Sequence, residues 1–288
     1  MNGTSAAVAA RASRNPTDGR PLVFASYLAP NMLPLYRFIT ASVGERLGIE
    51  THLEVGTSFS QLINGEVDVA FLCGLPYVRL AGHLEPLAAP VLAGDRYGAQ
   101  PVYFSDVIVT NDSRFQSFED LRGASWSFND SDSHSGYLVT LVRLLDLGET
   151  DQFFGRMVDA GWHQVSIELV AAGRVDASAV DSHVLAVELR RRPELQNRLR
   201  VIDSLGPSPI QPVVARRALD AQLRRDLRSA LMELTIDRLA EGLVERLVPI
   251  TDRSFDPIRN MLARVDRAAL SLRPTVALKQ EAVTLGEK

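Results

Sequence analysis

The segment Asn129-Asp130-Ser131-Asp132-Ser133-His134-Ser135-Gly136-Tyr137 gathers hydroxyls, carboxylates and an imidazole into one short stretch. It lies between a strand-like run and the start of an amphipathic helix. The first turn of a helix offers unpaired backbone N–H groups and the positive end of the dipole, which suits an anion. Ser133 and Ser135 add hydroxyl donors and His134 a ring donor, while Gly136 lets backbone approach a ligand closely. The same composition also makes a plain helix cap, because Ser and Asp are the usual capping residues. Gly56-Thr57-Ser58-Phe59 is a second turn of this kind, where Thr57 and Ser58 cap a helix or donate to an anion. Two such turns facing one cleft would clamp an oxyanion without net positive charge.

Enzyme chemistry has thinner support. The five histidines, His52, His83, His134, His163 and His183, form neither HxxxH nor HExxH, so no metal site is expected. Ser133, His163 and Asp181 make a Ser/His/Asp set on paper, but no GxSxG elbow accompanies them. No GxxxxGKS or GxGxxG loop exists to cradle a nucleotide. No catalytic residue and no cofactor is therefore assigned. Cys73 is the single cysteine, which excludes an intrachain disulfide and a cysteine-based zinc site. In the run VDVAFLCG it reads as a small buried hydrophobe.

The elements that must position these residues follow from periodicity. Residues 22–27 read as a buried strand. A helix opens at Asn31-Met32-Leu33-Pro34, carries Leu35, Phe38, Ile39, Val43 and Leu47 on one face, and ends at Gly48. Strands at 51–55 and 67–73 flank a short helix at 59–64. This alternation predicts a parallel α/β sheet. Downstream, the pattern predicts a helix at 74–82, strands at 87–94 and 101–111, a short helix at 117–123 and a strand at 124–130. Helices are expected from the serine-rich turn to Gly148, at 151–158 and at 162–173, followed by a strand at 174–181 and a helix at 183–193. Strands at 199–206 and 212–216, helices at about 218–247 and 255–270, and a tail of 15 residues complete the reading. GEVDVAF at 65–71 and GRVDASAV at 173–180 are both Gly-x-Val-Asp strands, one in each half. They predict two α/β lobes of similar design, with crossovers near 105–107 and 203–207.

Composition sets outer limits. A chain of 288 residues fits about two domains. With 46% hydrophobic and 23% charged residues it is neither disordered nor fibrous. No apolar run approaches the roughly 18–20 residues of a membrane span. A net charge of −4 argues against nucleic acid as a partner. Only Lys279 and Lys288 are lysines among the 31 basic residues. The opening AAVAARA lacks the apolar core of roughly 7–15 residues that a secretory leader has, so a cytoplasmic location is the alternative to export. Residues 1–20 are expected to form a mobile tail.

Taken in order, the motifs resemble a known family. YLAPN with its helix, GEVDVAF then GLPY, VYFSDVIVTNDS then FEDLRG, FNDSDSHSGYL, AGWH then GRVDASAVDSH, and ITDRSFDPIR are similar to the phosphate/phosphite/phosphonate solute-binding proteins of ABC importers, the PhnD type. The resemblance spans about 22–265. It implies a two-lobe, type-2 periplasmic-binding-protein fold of the α/β class, closing an interlobe cleft on a small oxyanion. Lobe 1 would comprise 21–105 plus 206–288, and lobe 2 106–205. The family's Ser-Thr-Ser turn corresponds to Ser133-His134-Ser135, its cleft tyrosine to Tyr103, and its histidine to His163, here preceded by an extra Trp162. A second family tyrosine corresponds to Phe59, which lacks the hydroxyl. Two acidic positions that hold an amine in some members fall at His183 and Gln211, with Asp181 nearby, so aminoalkylphosphonates are expected to bind poorly. The implied partners are a small anion and, if the chain is exported, the membrane subunits of an importer; the implied location is periplasmic. The alternatives are a cytoplasmic sensor or enzyme on the same scaffold, or a protein-interaction module. Ser135→Ala or His134→Ala is expected to weaken the anion, and a protonating His134 would tighten it toward pH 6.

Overall fold

In the computed structural model, which describes residues 20–235 and 239–278, the strand–helix alternation builds two six-stranded sheets. The tail expected at 1–20 lies outside the described residues except for Arg20. The first sheet contains β1 (Leu22–Ser26), β2 (Thr51–Val55), β3 (Val69–Phe71), β4 (Leu84–Leu92), β10 (Val213–Arg216) and β11 (Val244–Pro249). Its order is β11-β4-β10-β3-β1-β2, with β1 parallel to β2 and β3. The second contains β5 (Val102–Thr110), β6 (Ser125–Phe128), β7 (Arg156–Asp159), β8 (Ala177–Asp181), β9 (Leu199–Pro209) and β12 (Val276–Ala277). Its order is β12-β7-β6-β8-β5-β9, with β6 parallel to β7 and β8. This is the two-lobe α/β architecture expected from the sequence.

The helices are α1 (Leu33–Leu47), α2 (Ser60–Asn64), α3 (Gly74–Leu80), α4 (Val139–Asp146), α5 (His163–Ala171), α6 (Ser182–Arg191), α7 (Ala221–Met232) and α8 (Asp256–Ala268). α1 accepts Pro34 in its first turn and buries Leu35, Tyr36, Ile39 and Val43. It stops at Gly48, whose φ of 64° a glycine adopts at no steric cost. α8 packs against α3 of the first lobe and α4 of the second.

The paired Gly-x-Val-Asp motifs do the same work in both lobes. Asp68 accepts from the Val23 amide at 3.1 Å, tying the entry of β3 to β1. Asp176 accepts from the Ser125 amide at 2.7 Å and the Ser125 hydroxyl at 2.6 Å, tying the entry of β8 to β6. Each aspartate thereby fixes the register of the two parallel strands whose far ends carry the cleft loops.

Several expectations are corrected. Residues 151–158 do not form a helix: 156–159 are strand β7, whose Met157 and Val158 are buried. The helix expected at 218–247 ends at Met232, and 244–249 pair with β4 instead, so cross-strand pairing overrides the helical spacing of Leu239, Leu243 and Leu247. The sheet of the first lobe is mixed rather than wholly parallel, because β10 and β11 run antiparallel to β4. The chain passes between sheets at 93–101 and 210–212, while 105–107 sit inside β5 paired with β8 and β9. The terminal segment does not stay with the first lobe, because Val276–Ala277 add to β7 of the second.

Candidate functional site

Parallel strands leave their C-terminal ends free to carry loops, and open α/β sheets place ligands there. Here six such ends converge on one cleft of about 370 Å³. From the first lobe come Tyr27–Ala29 after β1, Gly56–Phe59 after β2 and Cys73 after β3. From the second come Asn129, Asp130, Asp132, Ser133 and Ser135 after β6, Gly161–His163 after β7 and Asp181, His183 and Val184 at the end of β8. Beside the cleft, Asn31 Nδ2 donates across the lobes to the Val184 carbonyl at 3.2 Å and to Glu188 at 3.0 Å. A cavity of about 890 Å³ lies on the other side of this contact, with Arg37, Glu45, Arg46 and Arg191 in its walls. It receives none of the six strand ends.

The serine-rich turn brings two hydroxyls, those of Ser133 and Ser135, to the cleft. Residues 134–138 form one π-helical turn leading into α4: the Leu138 amide donates to the Ser133 carbonyl at 3.1 Å and the Val139 amide to that of His134. Such turns are frequent at functional sites. The Ser133 hydroxyl accepts from the Gly136 amide at 3.0 Å, so it does cap the helix, and its own hydrogen stays available. Ser135 Oγ is 2.9 Å from His163 Nε2 and 3.4 Å from Ser133 Oγ. Both serines are buried and line the cleft. Gly136 is needed for a different close approach than expected: a Cβ there would sit 2.0 Å from Asn129 Oδ1.

His134 does not face the cleft. Successive residues at a helix start point about 100° apart, so three in a row cannot share one face. Its side chain is fully buried against Tyr103, with ring centroids 6.2 Å apart, and both ring nitrogens lack a partner among the described residues. Its backbone amide donates to Cys73 Sγ at 3.4 Å. Tyr103 is likewise buried behind the turn and does not line the cleft. Cys73, expected as plain core, does line it, and burial pushes its thiol up to about 11.

The first-lobe turn is also corrected. Thr57, Ser58 and Phe59 line the cleft, but Gln61 Oε1 already accepts from the amides of Thr57 at 2.9 Å and Ser58 at 3.2 Å. Glu54 holds that glutamine through Nε2 at 2.9 Å. The Phe59 ring packs on Tyr27 with centroids 5.2 Å apart, and Tyr27 brings a hydroxyl to the same loop, 3.1 Å from the Ser58 carbonyl.

His163, Asp181 and His183 all reach the cleft. Burial drives His134 and His163 down to about 3 and His183 to about 4. Protonation of His134 near pH 6 is therefore excluded by its apolar surroundings. An unfolded histidine takes its proton near about 6.5, so these rings oppose folding increasingly as pH falls below that value. The expected result is that the Cε1–H signals of all three stay constant from pH 5 to 8 by NMR; a midpoint inside that window would contradict the burial.

Trp162 carries weight that the sequence reading did not give it, and Asp181, a candidate ligand residue in that reading, lines the cleft. Trp162 lines the cleft and its indole N–H has no partner among the described residues. Asp181 places a carboxylate in the cleft, which removes the premise for expecting no acceptor for an amine. Its Oδ1 accepts from the amides of His183 at 2.8 Å and Val184 at 3.2 Å, and Gln211 Nε2 donates to its Oδ2. The Ser/His/Asp set of the sequence does not assemble as a relay: the serine on His163 is Ser135, and His163 Nδ1 has no partner. No metal-binding cluster of His, Cys, Asp and Glu occurs among the described residues, and no helix among them is long and apolar enough to cross a membrane.

Comparison with known proteins places the fold and the family. The profile of a family described as the periplasmic substrate-binding protein of phosphonate ABC transporters matches residues 22–260. The phosphate-import protein PhnD of Mycolicibacterium smegmatis is 23% identical over 256 residues, covering 79% of this chain and 78% of that one. A binding protein of a Pseudomonas aeruginosa ABC phosphonate transporter superposes with a TM-score of 0.75 at 20% identity, covering 87% of this chain and 88% of that one. PhnD1 of Prochlorococcus marinus, solved with methylphosphonate, gives a TM-score of 0.74 at 17% identity, covering 88% of this chain and all of that one.

Proposed function

From the fact that the chain belongs to the periplasmic substrate-binding proteins of phosphonate ABC transporters, we propose that its cleft captures a small oxyanion of the phosphate, phosphite or phosphonate kind outside the cytoplasm and delivers it to an importer's membrane subunits. The observation that carries this reading is the convergence of six strand ends on one cleft, where Ser133 and Ser135 stand at a helix start. The ligand oxygens take hydrogens from these two hydroxyls and from the Trp162 indole, with His163 positioning Ser135. Such donors act through local dipoles and need no basic protein. Tyr27 and Phe59 close the cleft from the first lobe.

An enzymatic role has less support. His163 is held neutral down to about pH 3, which makes it a weak base, and nothing orients its Nδ1. Binding is tested by melting the protein with phosphate, phosphite, methylphosphonate, sulfate and small carboxylates. A ligand present at 100 times its Kd stabilises by about 2.7 kcal/mol. A rise in Tm with phosphorus oxyanions supports the reading; a response to carboxylates alone contradicts it.

A further inference from the structure

The following rests on the oxyanion reading and concerns which oxyanions enter. The cleft is lined by three carboxylates, Asp130, Asp132 and Asp181, and by no arginine or lysine among the described residues. Asp132 is answered at the rim by Arg79. Asp130 accepts from the Asp132 amide. Asp181 is buried and, among the described residues, makes no salt bridge. Its surroundings are the phenols of Tyr36, Tyr97 and Tyr103, the Cys73 thiol, the backbone amides of His183 and Val184 and the Gln211 amide. The charged neighbour, Asp106, is itself negative and is held by Arg96 at 2.7 Å.

Asp181 also stands close to the oxyanion turn, because β8, which it ends, packs against residues 134–138. The Tyr103 phenol feels both the Ser135 hydroxyl and the Asp181 charge, and the Cys73 thiol feels both the His134 amide and Asp181. Gln211 occupies one acceptor position on Oδ2, and a carboxylate oxygen has two. A bare oxyanion placed here meets a second negative oxygen without a counter-charge. A proton between the two converts that repulsion into a short, charge-assisted O–H···O⁻ bond.

We propose that Asp181 makes the cleft selective for oxyanions that bring their own proton, the ligand hydroxyl donating to Asp181 Oδ2 while the serines donate to the ligand's other oxygens. Hydrogenphosphate and singly protonated alkylphosphonates fit this requirement. Sulfate, of the same shape and charge as hydrogenphosphate, does not. Burial raises the Asp181 carboxyl to about 7, so below that pH Asp181 can itself supply the hydrogen and the selectivity fades.

The test is calorimetry of the full chain with phosphate and sulfate at pH 8.5, where both ligands are dianions and differ by one proton. Wild type is expected to favour phosphate by at least about tenfold, within the roughly 5–150-fold that one unmatched buried polar group costs. Asp181→Asn keeps an N-capping side chain for α6 and offers an amide hydrogen to any oxyanion, so its preference should fall toward unity through a gain in sulfate affinity. The wild-type ratio stands by itself if that variant folds poorly. Equal affinities in wild type, or an unchanged ratio in Asp181→Asn, would overturn the proton requirement and leave the oxyanion reading intact. Tighter binding of 2-aminoethylphosphonate than of methylphosphonate, lost in Asp181→Asn, would also overturn it, by assigning Asp181 to an ammonium. No binding of phosphate, sulfate or methylphosphonate overturns both readings.

Discussion

Ser135→Ala is expected to weaken methylphosphonate binding by roughly 5–150-fold, the 1–3 kcal/mol cost of leaving a buried polar group unmatched. The hydroxyl is buried, faces the cleft and sits 2.9 Å from His163 Nε2. Its removal deletes one donor to the anion and strips His163 of its partner, whose Nδ1 already has none. Ser133→Ala is a less clean probe, because Ser133 also caps the Gly136 amide and its loss costs about 0.5–2 kcal/mol of helix stability. His134→Ala should act on stability rather than directly on the ligand, since that ring lies behind the turn. Calorimetry of the serine variants, with melting as a control for folding, checks this. An unchanged affinity in Ser135→Ala would place the oxyanion elsewhere.

Asp68→Ala is expected to lower unfolding free energy by about 3–5 kcal/mol, the range for removing one member of a buried ion pair. Asp68 is fully buried and takes Arg20 at 2.6 and 2.7 Å, Arg216 at 2.8 Å and the Val23 amide at 3.1 Å. Its loss leaves the mostly buried Arg216 guanidinium without its carboxylate, while Arg20 can turn to solvent, which favours the lower end of that range. Burial opposes ionisation of Asp68, but hydrogen bonds from Arg20, Arg216 and Val23 outweigh it and hold the carboxyl below its ordinary value. A depressed folded pKa contributes stability that is present above the unfolded value of about 4 and is lost as pH falls through the folded pKa. Urea titrations at pH 7 and pH 3 should therefore show a larger gap between wild type and variant at pH 7. A gap that widens in acid would contradict the sign.

The parts of this fold that were legible in the sequence are those set by local periodicity and by paired motifs. Gly-x-Val-Asp at 65–68 and 173–176 announced two similar lobes, and the structure explains why: each aspartate clamps a neighbouring strand. β7 was missed because a four-residue strand inside DQFFGRMVD carries too little alternation to distinguish it from a helix turn. Only with 156–159 as a strand do 160–163 become a strand-end loop that brings Trp162 to the cleft. β11 was missed because its pairing with β4 is non-local and its spacing is helical. Among the site residues, Ser133 and Ser135 were legible as donor types near a helix start, and His163 through the family resemblance. The side-chain directions were not. His134 turned inward against Tyr103, a contact between segments far apart in sequence, whereas Gln61 took the amides of Thr57 and Ser58 within its own turn, a choice that residue type and spacing leave open.

The most direct test of the oxyanion reading is a crystal structure of the chain grown with methylphosphonate. The account predicts the phosphonate between the lobes, its oxygens within hydrogen-bond reach of Ser133 Oγ and Ser135 Oγ. A phosphonate seated instead in the larger cavity between α1 and α6, with the serine turn untouched, would contradict it.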